Sequence, residues 1–227
     1  MLSFLVPYCV RPDFLEEAHR LRLLEEVLQS PYLGATDLDH GFEGTRGFSM
    51  LLHRSQMSRL GRILPSAPPY LERMLDPRTT VLFVNPLVIQ PGQGVAPHAD
   101  KTLMSFLPPG TRVPFPRRVS VLYLAVPPDM RGGELVFHRN ALIKARVRPR
   151  VNTLVDFAGW LDHEVTAWEG QADQPRVSLV CEQYRVGDAL RARLPEFHLE
   201  STRSFADFLA GNSSSCGEVS SSIEEVP

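Results

Sequence analysis

Between Val81 and Cys181 the chain carries a succession of short segments of β character with no helical period between them, and this limits the fold more than any other feature. Val81–Val84, Val119–Leu124, Glu134–Phe137, Thr153–Phe157 and Val177–Cys181 are rich in β-branched or aromatic residues and are bounded by Pro, Gly, Asn or Asp. The preceding part reads as helical. From Pro12 to Ser30, apolar Phe14, Ala18, Leu21, Leu24 and Leu28 recur at helical spacing, with Glu16, Glu17, Arg20 and Arg22 on the other faces. Asp13 stands near the start of that helix, and Ser30-Pro31 closes it. Gln56–Leu64 and Pro69–Leu75 predict two further short helices, and the glycine-rich Gly34–Gly47 predicts a loop. Helices first and a run of short strands afterwards predict an α+β domain whose core is an antiparallel sandwich or barrel.

A length of 227 residues suits one domain. Its expected parts are an N-terminal helical support region over 1–80, a β core over 81–200 and a disordered Ser-rich acidic tail over 211–227. The net charge of -2 gives no pull toward nucleic acid or an anionic membrane, and neither is expected as a partner. The apolar N-terminus lacks a basic lead and is too short to span a bilayer. Cys9, Cys181 and Cys216 are far apart and odd in number, which reads as reduced thiols in a cytoplasmic protein.

Within the β region, Val95-Ala96-Pro97-His98-Ala99-Asp100-Lys101-Thr102 sets a histidine and an aspartate two residues apart. Alternation along a strand points both side chains to one face. An imidazole and a carboxylate there are two of the three ligands in a 2-His-1-carboxylate facial triad. The bare pattern is cheap. Seven histidines and 26 acidic residues in 227 yield about one such pair by accident. His198-Leu199-Glu200 is a second match, read as surface for want of strand context.

The candidates for the second histidine are His138 and His163; His163 follows the strand ending near Phe157 and the turn Ala158-Gly159-Trp160. Downstream, Arg176-Val177-Ser178 opens the last strand with Arg176 and Ser178 on one face. An inward arginine is costly unless it meets an anion, and a guanidinium grips a carboxylate through two parallel hydrogen bonds. These residues suggest a dicarboxylate site beside a metal site.

The ordered set His98-Ala99-Asp100, Gly132-Gly133-Glu134-Leu135, His163-Glu164-Val165 and Arg176-Val177-Ser178-Leu179 resembles the 2-oxoglutarate- and Fe(II)-dependent dioxygenases. The prolyl 4-hydroxylase-like branch is the nearest match, over about Val81 to Tyr184, with Met1–Ser30 resembling the helix that often precedes the core. The resemblance implies a double-stranded β-helix, or jelly roll, with the N-terminal helices packed on it. It implies Fe(II) held by His98, Asp100 and His163, and the distal carboxylate of 2-oxoglutarate bound by Arg176 with help from Ser178. The implied reaction consumes O2, with ascorbate as a reductant. It hydroxylates an unactivated C–H bond of a peptide or protein side chain or a small molecule, and releases succinate and CO2.

Four positions bear on the branch. Ile89 stands where many members carry a tyrosine, and a second family tyrosine corresponds to Tyr123, or one position off with Leu122 facing inward. Asp100 argues against halogenating relatives, which lack a carboxylate there. Glu182, six residues after Arg176, argues against nucleic-acid demethylating relatives, which carry an arginine there.

Other readings stand beside this one. A cupin-like jelly roll would bind metal through the same ligands without 2-oxoglutarate turnover, and a degenerate member would only bind. Leu103–Pro116 is expected to be a long loop after the metal ligands, of the kind that forms lids. The alternating row Lys144, Arg146, Arg148, Arg150 is read first as a solvated edge and second as a contact surface. Trp160 and Trp168 belong to the core or line a substrate pocket.

Overall fold

The computed structural model describes residues 8–35, 45–139, 142–171 and 175–201; the expected tail and Cys216 lie outside them. The chain enters on strand β1 (Tyr8–Arg11) and runs into helix α1 (Glu17–Gln29). Strands β2 (Gly34–Ala35), β3 (Arg46–Gly47) and β4 (Ser49–His53) precede a 3-10 turn at Arg54–Gln56 and helices α2 (Met57–Ile63) and α3 (Ala67–Met74). Next come β5 (Val81–Ile89), β6 (Val95–His98), a 3-10 segment over Thr102–Phe106, and β7 (Arg118–Ala125). They are followed by β8 (Arg131–Gly132), β9 (Leu135–Arg139), β10 (Leu142–Val147), β11 (Leu154–Phe157), β12 (Asp162–Val165), β13 (Trp168–Glu169) and β14 (Arg176–Tyr184). Helix α4 (Asp188–Arg191) and strand β15 (Phe197–Glu200) complete the described chain.

All strand pairs are antiparallel. The larger sheet runs β1-β11-β7-β14-β5-β3-β2, with β4 also on β5 and β15 on β4. The smaller sheet runs β10-β9-β12-β6, and β8 pairs with β13. These are the two sheets of a jelly roll, and the fold is α+β.

Alternation along the three central strands divides their side chains between two environments. Leu82, Val84 and Val88 of β5, Leu122 and Leu124 of β7, and Val177, Leu179 and Cys181 of β14 pack with Leu23, Val27, Leu60, Tyr70 and Leu71 from the helices. The opposite face, including Val121 and Tyr123, packs with Leu135, Phe137 and Val165 of the smaller sheet. Burial of Leu23 and Val27 alone contributes about 1.5–3 kcal/mol each.

Helix α1 differs from its prediction at its start and in its buried face. It begins at Glu17 because Asn152 clamps the preceding backbone: Leu15 N–H donates to Asn152 Oδ1 at 2.9 Å, and Asn152 Nδ2 donates to the Leu15 carbonyl at 2.7 Å. The sheet-facing residues are Arg20, Leu23 and Val27, while Leu21 and Leu28 are 48% and 41% exposed. Arg20 stays inward because its guanidinium donates to the Leu124 carbonyl at the end of β7 while pairing with Glu17.

The N-terminal part is also not purely helical, since β1 to β4 all join the larger sheet. Strand β5 runs through Pro86 to Ile89, past the predicted end at Val84. Met50 pairs with Val84 and Gly47 with Leu87, a register that sets Phe48 opposite Pro86. Proline has no N–H to give that ladder, so one run is divided into β3 and β4. His198–Glu200, read as surface without strand context, belongs to β15 and pairs with β4. Leu103–Pro116 is not all loop, since a 3-10 segment occupies its start. Lys144, Arg146, Arg148 and Arg150 are exposed; the first two lie on the edge strand β10, and Arg146 pairs with Glu134 at 3.1 Å. Among the described residues, no helix is long and apolar enough to cross a membrane.

Candidate metal centre

Strands β6 and β12 pair so that His98 lies directly opposite His163, with ring centroids 4.4 Å apart. Gly94 makes this approach possible, because a Cβ at that position would sit 2.3 Å from the Val165 carbonyl oxygen. Asp100 lies just past the end of β6, where the chain turns toward Thr102. Its Oδ1 is 3.5 Å from His98 Nε2, and its Oδ2 is 3.6 Å from His163 Nε2. One ligand atom from each of the three residues falls within 4.8 Å of the others.

The imidazoles are oriented from behind. His98 Nδ1 lies 2.8 Å from the Ala96 carbonyl and His163 Nδ1 3.1 Å from the Leu161 carbonyl. An Nδ1–H donated to each carbonyl leaves the Nε2 lone pairs directed at Asp100, the second-contact arrangement that fixes metal-ligating histidines. Burial, together with the neighbouring His98, holds His163 below the usual histidine range against the opposing pull of Asp100, which keeps it in the neutral form a metal requires. Asp100 Oδ2 is buried without a hydrogen-bond partner. An orphaned carboxylate oxygen facing two imidazole nitrogens fits a divalent first-row ion better than it fits any contact the protein makes.

The three residues line a cavity of about 530 Å³ between the sheets. Arg176, Ser178, Val180 and Glu182 of β14 also line it, as alternation on one strand face requires. Arg176 is 1% exposed and its Nε and Nη1 have no hydrogen-bond partner. Its guanidinium carbon lies 5.2 Å from the centroid of the Tyr123 ring. Tyr123 is fully buried and its hydroxyl is also without a partner. Burial pulls Arg176 below its usual range and pushes the Tyr123 phenol up, the latter opposed by Arg176. Tyr123 is the cavity-facing residue and Leu122 packs in the opposite core, where Ser178 pairs with Tyr123 and a register shift follows Val177.

A carboxyl stands farther along the same strand. Glu182 is 2% exposed, accepts a hydrogen bond from Thr102 Oγ1 at 2.6 Å and another from the Tyr184 hydroxyl. Burial first, then the charge of Asp100, push it up to about 8.

No protein-family profile and no curated protein matches the sequence. Solved structures do match. A prolyl-4-hydroxylase from Pseudomonas putida aligns at a TM-score of 0.52 and 17% identity, over 80% of this chain and 94% of the other. A prolyl hydroxylase from Trichoplax adhaerens, in complex with a hypoxia inducible factor oxygen degradation domain peptide fragment, aligns at 0.52 and 16%, over 82% and 86%. A 2OG-Fe(II) oxygenase family oxidoreductase from Burkholderia pseudomallei aligns at 0.54 and 14%, over 79% and 86%. The fold is that of the 2-oxoglutarate and Fe(II) oxygenases, in its prolyl 4-hydroxylase-like form.

Of the residues singled out in the sequence, this oxygenase fold brings His98, Asp100, His163, Arg176, Ser178 and Tyr123 to one cavity. His138 stays outside, its Nε2 3.2 Å from Glu164 Oε1. Trp168 is fully buried and donates to the Ile89 carbonyl, whereas Trp160 is 48% exposed; neither lines the cavity. The sequence placed neither Thr102 nor Tyr184 at the site, and Glu182 counted there only as the absence of an arginine. The signal was available, because Glu182 shares the strand face of Arg176.

Proposed function

We propose that the chain is an oxygenase that uses Fe(II), 2-oxoglutarate and O2 to hydroxylate an unactivated C–H bond of a peptide or protein side chain or a small molecule, with release of succinate and CO2. The observation that carries this reading is Arg176, a buried guanidinium without a protein counter-ion that faces the same cavity as the His-Asp-His cluster. A cupin-like metal protein would account for His98, Asp100 and His163. It would give no reason to bury an unpaired cation beside them.

In this reading His98, Asp100 and His163 hold the iron, which with 2-oxoglutarate and O2 supplies the oxidising power. Arg176 receives the distal carboxylate of the cosubstrate through Nε and Nη1, with the Ser178 and Tyr123 hydroxyls as further donors. Val121, Leu135 and Val165 furnish apolar cavity walls, which keep water away and strengthen those contacts. The peptide bound by the Trichoplax neighbour supports a peptidyl substrate among the candidates.

The test is an anaerobic titration of the metal-free protein with Fe(II) and then 2-oxoglutarate, watching the weak visible charge-transfer band of a chelated cosubstrate. The expected band appears only with both additions and is lost in His98→Ala. Metal binding without the band would replace this reading with the cupin-like one.

A further inference from the structure

Strand β14 buries two ionisable side chains of opposite sign on one face, Arg176 and Glu182, and pairs neither with an opposite charge of the protein. They cannot satisfy each other, because six residues of strand separate their Cα atoms by about 20 Å. Arg176 is explained by the carboxylate of the cosubstrate. Glu182 has the hydroxyls of Thr102 and Tyr184 and the backbone of Thr102, all neutral, and among the described residues no lysine, arginine or histidine forms an ion pair with it. It stands outside the metal cluster, so the metal does not account for it either. Ionised, a carboxyl at 2% exposure without a cation is costly, so the ligand-free site holds it protonated, and the strand face that carries it lines the cavity.

The neighbouring residues extend the pattern. Phe83 lies across the ladder from Glu182, and Phe106 and Glu200 line the same cavity. Aromatic faces beside carboxylates are the surroundings that attract an organic cation. Charge accounting agrees with this. Iron and the dianionic cosubstrate balance each other, and among the charged lining residues Asp100 offsets Arg176 and Glu200 offsets Lys101, which leaves Glu182, once ionised, without a counter-charge.

We infer that the prime substrate carries a cationic nitrogen, an ammonium or guanidinium, and that Glu182 is the residue that selects it. This inference rests on the oxygenase reading above. The cation belongs either to a free amino acid or amine or to the side chain of a peptide, and the chemistry at Glu182 is common to both. The Glu182 oxygens accept hydrogen bonds from the hydroxyls of Thr102 and Tyr184 and from the Thr102 backbone, and a carboxylate, with about four acceptor sites, keeps one for the ligand. Thr102 lies two residues beyond Asp100, so the charged nitrogen binds close to the metal and the oxidised carbon is a short chain away from it.

The experiment uses the full chain loaded anaerobically with Fe(II) and 2-oxoglutarate, whose visible band reports on substrate binding before any turnover. Nα-acetylated L-lysine is titrated against Nα-acetylated norleucine, Nα-acetylated L-arginine against Nα-acetylated citrulline, free norleucine against its Nα-acetylated form, and an N-acetylated lysine-containing peptide against its norleucine counterpart, so that each pair differs by one cation. The expected result is a saturable perturbation of the band by a cationic ligand, about thirtyfold tighter or more than by its neutral isostere. In Glu182→Gln that preference is lost while the band itself remains. The free-ligand and peptide arms separate the two sources of the cation. Equal binding of charged and neutral partners to the wild-type chain, or no perturbation by any cation, overturns the inference, as does a preference that survives in Glu182→Gln. Absence of the band before any substrate is added instead overturns the oxygenase reading beneath it.

Discussion

Replacing Arg176 by methionine should raise the stability of the ligand-free protein and remove most of its response to 2-oxoglutarate. The guanidinium is 1% exposed, and Nε and Nη1 have no acceptor within the protein. Removing such a cation from water costs several kcal/mol. The Tyr123 ring, 5.2 Å away, returns about 1–2 kcal/mol of that through its π face. Methionine fills most of the same volume and needs no hydrogen bond, so the net gain for the ligand-free fold is about 1–3 kcal/mol. For a chain of this length each kcal/mol moves the melting temperature by about 2–4 °C, giving a rise of roughly 2–12 °C. The ligand effect has the opposite sign. Loss of a buried bidentate contact weakens 2-oxoglutarate by about 2–5 kcal/mol, or at least about thirtyfold. Wild-type protein with Fe(II) and cosubstrate at a hundred times its Kd gains about 2.7 kcal/mol, and the variant gains less than about 1 kcal/mol. Thermal unfolding of both proteins, with and without ligand, measures all four states. An Arg176→Met protein that melts below the wild type without ligand would refute the reasoning, because it would make Arg176 a structural residue already satisfied by the protein.

Two further outcomes follow from the geometry. Gly94→Ala places a Cβ 2.3 Å from the Val165 carbonyl and 2.8 Å from the Ala167 nitrogen, both backbone atoms, so β6 must move away from β12. The expected result is a loss of about 1–3 kcal/mol together with weaker Fe(II) binding, and unchanged metal affinity by titration would show that His98 and His163 do not depend on that pairing. Glu182, raised from 4.5 to about 8 by burial and by Asp100, binds its proton in the folded chain where the unfolded chain has released it. Stability of the metal-free protein should therefore fall as pH rises through that window, by on the order of 5 kcal/mol in all. Denaturant titrations at both ends of the window should show the slope in the wild type and a flatter one in Glu182→Gln; equal slopes would remove Glu182 as its source.

The β core was legible because each central strand announces itself locally, and the metal cluster because its ligands lie on paired strands at short spacing. The errors came from contacts distant in sequence. Asn152 holds the chain extended through Leu15 and delays helix α1, and the Leu124 carbonyl draws Arg20 onto the buried side. No periodicity within residues 12–30 carries either fact. Pro86 reads as the end of a strand, yet β5 passes through it because the break falls on the neighbouring strand. Strands β1 and β15 complete the edges of a sheet built by others, and their short sequences show little alternation of their own.

The site divides along the same line. Residue type and spacing were enough to select His98, Asp100, His163 and Arg176 as candidates, since the ligand chemistry of each is written in its side chain. Whether a charged group has a partner is a property of the folded chain alone. Glu182 shows this well. In the sequence it marked only the absence of an arginine, and alternation from Arg176 would have turned it inward without revealing that no cation meets it. Many inward carboxylates have a lysine or arginine waiting on a neighbouring strand. Here the strand across from it offers Phe83, and its donors Thr102 and Tyr184 are neutral hydroxyls. What assigns a role to Glu182 is therefore the same argument that assigned one to Arg176, a buried ionisable group whose counter-charge the chain leaves to a ligand.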